Sequence, residues 1–280
     1  MRKLSKPNDD PGEVFQTCIS RVSKRGLKAR LTSVEPNVIA AASAFEAAVS
    51  ATMLHTMEPQ DGVPGVVTKK ELSDVYTLRM AKQDAPGRAI YDKLLAAPAY
   101  GRCPLCGQGK ISTLDHHLPK DQFPLLAVVP VNLVPACGDC NKVKTNAIPN
   151  TEGEQTLHPY FDDVEEDTWL YAEVVEGSPA ALRFFVTAPA CWDEIKSERV
   201  RYHFKVFKLA ALYASYAAEE LQNIRDYLTG LFGQGEAEVV KTHLLGVARS
   251  YEALHRNSWQ TAMYKALAVS DWYCAGGFDL

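Results

Sequence analysis

The chain lacks any surplus of basic charge: 30 Lys and Arg stand against 34 Asp and Glu, a formal net charge of −4. A general nucleic-acid binder carries excess Lys and Arg, so a partner of that kind has to be gripped by a local patch. No apolar run is long enough to cross a bilayer, and the basic start of the chain lacks the apolar stretch of a secretory signal. A cytoplasmic protein with no membrane contact is the expectation. Internal repeats and low-complexity tracts are also missing. What is present is 280 residues of 46% apolar content, enough core for one large domain or two to three small ones.

The first thirty residues hold the one local concentration of positive charge. Arg2, Lys3, Lys6, Arg21, Lys24, Arg25, Lys28 and Arg30 outnumber Asp9, Asp10 and Glu13. The plainer reading is a solvated, partly disordered terminus, and the sharper one is an arm that grips nucleic acid. Next comes "VEPNVIAAASAFEAAVSATMLHTM", with Phe45, Val49 and Met53 at helical spacing, a helix expected to end near Met57. "EPQDGVPGV" breaks it, and from Thr68 to about Ala97 two further helical stretches are expected to pack on whatever follows. Beyond the middle of the chain, Trp169 to Val186 alternates as a β-hairpin does. Val200, Phe204, Phe207 and Ala211, then Leu221, Ile224, Leu228 and Leu231, recur at helical spacing and predict at least one long amphipathic helix. Shorter helices are expected around Val239 to Leu254 and Ser258 to Ser270. Tyr202, Tyr213, Tyr216, Trp259 and Trp272 read as packing residues of these helices, not as a base-stacking platform. The expected organisation is 1–99, a basic arm and helices; 100–165, a small module too poor in periodic apolar residues to build its own core; and 166–280, a hairpin with helices.

Seven cysteines is an odd number, and a reducing compartment disfavours disulfides. Cys18, Cys191 and Cys274 sit among apolar or aromatic neighbours and read as buried thiols. The other four form two C-x2-C pairs, "CPLCG" at Cys103 and Cys106 and "CGDCN" at Cys137 and Cys140. Four thiolates from two such knuckles match the tetrahedron Zn2+ prefers and leave no open coordination position, so a structural zinc is expected over free thiols or a redox pair.

Histidines are not needed for that zinc, yet "TLDHHLPK" places Asp115, His116 and His117 between the two pairs. Downstream, "PVNLVPACGDCNKVK" supplies Asn132 and Asn141. The pattern D-H-x-x-P followed by N-L-x-x-x-C-x-x-C-N-x-x-K resembles the HNH endonucleases in their four-cysteine, zinc-stabilised form. The resemblance covers about Tyr100 to Asp163. It implies a ββα-metal module there, and with the helices and the 166–186 hairpin read from periodicity on either side, the expected fold is α+β and mostly helical.

It also implies roles. His116 matches the general base, and Asp115 and Asn141 match the hard oxygen ligands of a catalytic Mg2+ or Mn2+. Asn132 matches the Asn that bonds backbone across the hairpin loop and fixes the His ring, though a simple turn Asn is the plainer account. The third family position is often His, so Asn141 leaves the catalytic metal open. His117 occupies a normally apolar position, which suggests packing or a phosphate contact. His158 reads either as an extra metal ligand or phosphate contact, or as a turn histidine. Lys120, Lys142 and Lys144 are expected to hold DNA phosphates. At the level of the family, the expectation is a nuclease of bacterial anti-phage or restriction systems, acting on DNA beside an ATPase or another defence protein. The alternative is a zinc-structured module that binds nucleic acid or protein without cutting.

Overall fold

The computed structural model describes residues 1–279, and the chain divides into two compact units, Met1–Asp163 and Val164–Leu280. The segments read from the sequence as 1–99 and 100–165 therefore share one unit, apart from residues 164 and 165. The architecture is α+β and mostly helical, with small antiparallel hairpins and a four-cysteine cluster. Among the described residues, no helix is long and apolar enough to cross a membrane.

The first unit opens with α1 (Pro11–Ile19), α2 (Arg25–Ser33) and α3 (Glu35–Ser50). Asp10 caps α1 by accepting the Glu13 amide at 2.9 Å, with Pro11 at the first helical position. A short turn at Leu54–Thr56 follows α3, so the helix expected to reach Met57 ends a few residues earlier. The Gly- and Pro-punctuated break forms a small hairpin, β1 (Gly62–Val63) with β2 (Val67–Thr68), which feeds α4 (Lys69–Arg79) through a Thr68/Glu71 capping box. The Arg30 guanidinium grips Glu71 with two bonds of 2.9 and 2.6 Å and holds that carboxyl down at about 2. Then come α5 (Arg88–Leu95), β3 (Thr113–His116), β4 (Leu133–Ala136) and α6 (Gly138–Lys144), with β3 and β4 antiparallel and Asp115 opposite Val134.

One core runs through this unit. Phe15, Ile19, Phe45, Leu72 and Val75 from the helices are continuous with Leu114, Leu118, Phe123, Leu126 and Leu133 of the module. The cysteine-rich segment thus borrows its apolar support from α1, α3 and α4, as its lack of periodic apolar residues requires.

The basic terminus corrects the expectation of a solvated arm. Met1 is buried, the Arg2 amide donates to Pro104 O at 2.7 Å, and the Leu4 amide donates to Pro159 O at 2.8 Å. Lys3 pairs with Asp163 at 2.7 Å, Lys6 with Glu46, and Lys93 with Asp9. Backbone donors satisfied by partners more than a hundred residues away, with charges paired locally, give an ordered edge instead of a free arm.

In the second unit, β5 (Leu170–Val175) and β6 (Ala181–Val186) form the expected hairpin, followed by α7 (Glu194–Val206), α8 (Leu209–Leu254) and α9 (Trp259–Val269). Asn257 staples its start: Oδ1 accepts the amides of Trp169 and Leu170 at 2.9 and 3.2 Å, and Nδ2 donates to Val164 O and Asp167 O. The long helix α8 breaks at Gly235 and Glu236, where Glu236 has φ 56°. A straight helix would set Tyr227 and His243 ~24 Å apart at 1.5 Å per residue. Their ring centroids lie at 4.9 Å, so the chain reverses at the break and the expected helix from Val239 is a separate arm. Cys18 and Cys274 are buried thiols as expected, but Cys191 is exposed.

Candidate functional site

Two knuckles of backbone build the cysteine cluster. The Gly107 amide closes the first by donating to Cys103 O at 2.7 Å, and Gly107 has φ 73°, a left-handed turn that costs glycine little. The Gly109 amide donates to Cys106 Sγ at 3.3 Å. In the second, Cys137 is the N-cap of α6 and its sulfur accepts the Cys140 amide at 3.5 Å. The four sulfurs lie within 4.8 Å of one another, all from buried residues, with Cys106 and Cys137 3.9 Å apart.

A tetrahedron with Zn–S bonds of ~2.3 Å has edges of ~3.8 Å. The thiolates therefore fit a four-coordinate zinc, whose role would be to clamp the start of the module to α6. Gly109 is a residue the spacing argument missed: a Cβ there would lie 2.6 Å from Cys137 Sγ, so only glycine clears the cluster.

β3 presents the next groups. The His116 ring is half-buried, and its Nε2 lies 2.9 Å from Ala127 O. A carbonyl only accepts, so Nε2 carries the hydrogen and Nδ1 keeps the lone pair. Tyr76 of α4 packs edge-on at 4.4 Å between centroids and donates its hydroxyl to Leu114 O at 3.2 Å. Desolvation first, and then the cations Lys120 and Lys144, pull the imidazole down to about 3 against the bond to Ala127, so the ring is neutral at ordinary pH.

Asn132 bonds backbone across the loop between β3 and β4. Fully buried, it accepts the Leu118 amide at 2.8 Å and donates to Leu118 O and Leu126 O at 3.0 and 3.3 Å. Its bond to Leu126 O lies one residue before Ala127, whose carbonyl meets the His116 ring. Tyr76 and Ala127 were invisible in the motif. They come from a helix about forty residues upstream and from a backbone atom.

Asp115 is buried, and its Oδ2 pairs with Lys144 Nζ at 3.1 Å; the same ammonium donates to His116 O at 2.7 Å. Burial raises the Asp115 carboxyl, and Lys144 opposes that rise. Asn141 precedes Lys144 by one turn of α6, hence shares its face, and is exposed. Asp115 and His116, consecutive on the strand, thus meet different neighbours: α6 for the carboxylate, α4 and the loop for the ring.

Two expected DNA contacts, Lys144 and His117, and the candidate metal ligand His158 need correction. Lys144 is not a solvent-facing phosphate contact, since its side chain is 7% exposed and engaged with Asp115. His117 is buried, 4.2 Å from the His158 ring and edge-on to Phe45. His158, also buried, accepts the Tyr160 amide at Nδ1 (3.2 Å) and packs on Phe45 and Phe161. It packs as a turn histidine against the His117 ring. Among the described residues, the cysteines form the one convergent group of three or more His, Cys, Asp or Glu ligands. Lys142 is exposed, and Lys120 is half-buried and paired with Asp121.

Fold and cluster together define a mostly helical α+β protein organised around a four-cysteine module. The chain is similar to protein ea31 of Escherichia phage lambda, 29% identical over 298 residues, an alignment that takes in 99% of this chain and 100% of that protein. No family model matches it, and no solved structure does.

Proposed function

We propose that the chain is a metal-dependent endonuclease of the HNH kind that hydrolyses DNA phosphodiester bonds. The observation that carries this reading is the geometry that fixes the His116 ring. A neutral imidazole, tied at Nε2–H to Ala127 O and braced by Tyr76, offers Nδ1 as a base for a water proton. Asn132 is the positioning residue behind it. Asp115 and Asn141 are the oxygen donors assigned to Mg2+ or Mn2+, a cation whose contribution is to neutralise charge on the phosphorane and the leaving oxygen. Lys142 and Lys120 are assigned to flanking phosphates. The proposed setting is anti-phage defence in the cytoplasm, with an ATPase or another defence protein as partner.

One observation favours a second reading, a zinc-structured binding module that does not cut. The Lys144 ammonium already sits on the carboxylate meant for the metal, and a fixed internal cation can stand in for a divalent one. A single experiment separates the two. Supercoiled plasmid is incubated with purified protein and Mg2+ or Mn2+, beside His116→Ala protein of verified zinc content. Nicking or linearisation by the wild type alone supports the nuclease. Equal cleavage by His116→Ala removes the base, and binding without cleavage by the wild type across both metals favours the module.

A further inference from the structure

At the end of the module away from Asp115, a cleft of about 430 Å3 opens between α5 and the first cysteine knuckle. Its floor is apolar, made by Leu95, Ala96 and Ile111. Tyr100 stands at its edge, 84% exposed, with φ 58° and ψ 14°. A non-glycine residue held in the left-handed region costs ~1–2 kcal/mol, so the fold accepts strain to hold an aromatic ring in solvent. Arg102 and Lys110, bridged to each other across the knuckle, supply two positive charges. Neither has a carboxylate partner among the described residues; the Arg102 guanidinium donates to Gln108 O, at 2.8 Å. The acidic residue of the cleft, Asp92, is neutralised by Arg88 at 2.8 Å.

We infer that this cleft is a binding site for an unpaired nucleobase of a DNA strand, which stacks on Tyr100 while its neighbouring phosphates meet Arg102 and Lys110. An aromatic face beside paired cations is the arrangement single-strand binders use, because every base has a π face and every nucleotide an anion. The platform is rigid: the Cys103 amide donates to Gly109 O at 2.8 Å directly behind it, and the Ile111 amide donates to Gly101 O at 3.1 Å. It is also joined to the proposed catalytic residues by a short run of chain. Ile111 runs through Ser112, bonded to Ala136 O at 3.0 Å, into β3, so His116 lies ~16 Å further along the strand at ~3.3 Å per residue. A base held here belongs to a strand that passes His116 within a few nucleotides, which names the substrate class as DNA with an unpaired segment beside the cut.

The inference rests on the nuclease reading for its choice of ligand, and binding measured without Mg2+ or Mn2+ keeps the two separable. Fluorescence anisotropy compares the full-length zinc protein on an unpaired oligonucleotide, on a blunt duplex, and on a duplex with a single-stranded extension. Tyr100→Ala is expected to weaken binding of the unpaired and extended DNAs about tenfold, as the loss of one stacked base at ~1–3 kcal/mol requires, and to leave the blunt duplex unchanged. Tyr100→Phe should keep wild-type affinity. Tyr100→Gly, which relieves the left-handed backbone, should bind unpaired DNA as weakly as Tyr100→Ala while melting no lower than wild type. Unchanged affinity for unpaired DNA in Tyr100→Ala, or an equal loss on the blunt duplex, overturns the inference. Failure of the plasmid assay above leaves this result standing.

Discussion

Replacing Lys144 with Met tests the most consequential contact in the first unit. The ammonium lies 3.1 Å from Asp115 Oδ2 and 2.7 Å from His116 O, and both side chains of the pair are 7% exposed. Taking away one member of a buried pair typically costs ~3–5 kcal/mol, because the other charge is left without compensation. Asp115 has an escape, since its carboxyl is already raised by burial and can take up a proton. A group whose folded pKa is raised favours the folded state below its unfolded value and loses that contribution as pH rises through the folded one. Lys144→Met should therefore cost ~3 kcal/mol near pH 8 and distinctly less at acidic pH, where the Asp115 carboxyl takes up its proton. At a urea slope of ~2 kcal/mol per molar, the larger loss moves the midpoint down by ~1.5 M. Asp115→Asn should be costly as well, and the double variant should recover most of the loss. All four tryptophans, Trp169, Trp192, Trp259 and Trp272, lie in the second unit, so their fluorescence reports the wrong half of the chain and serves as the unchanged control. The first unit is followed by chelator-detected zinc release and backbone hydrogen exchange. A midpoint for Lys144→Met within ~0.3 M of wild type at pH 8, or a loss that is the same at pH 5, refutes the reasoning.

Three further outcomes are expected. Cys103→Ser or Cys137→Ser should bring zinc below one ion per chain by elemental analysis and abolish hydrogen-exchange protection in the first unit while tryptophan fluorescence stays native, because such a module takes folding free energy from its ion. Asn132→Ala strips the Leu118 amide and two carbonyls of their partners inside the core, and a loss of ~2–4 kcal/mol should appear in the same zinc-release melt. If the protein cleaves DNA, the acid limb of its pH–rate profile should not show a midpoint near the ordinary histidine value of 6.5, since the His116 ring is held down at about 3 and stays a neutral base throughout that range; an inflection at 6.5 would mean a solvated ring.

Spacing and ligand chemistry are local, and what they encode was legible in the chain. Two C-x2-C pairs favour knuckles whose thiolates converge on one ion, and the sequence accordingly pointed to the cluster now seen within 4.8 Å. The alternating hairpin of the second unit follows from a short-range rule of the same kind, whereas the strand position of Asp115 and His116 was what the family resemblance implied. Contacts between residues far apart in sequence leave no periodicity to read. Whether Lys144 faces solvent or Asp115 depends on how α6 settles against β3, and whether His158 reaches a metal or His117 depends on the course of the chain after that helix. Tyr76 against His116, Ala127 O on its ring and Arg2 stitched to Pro104 were likewise decided by the shared core that brings helices from the first hundred residues onto a module with too little apolar surface to fold by itself.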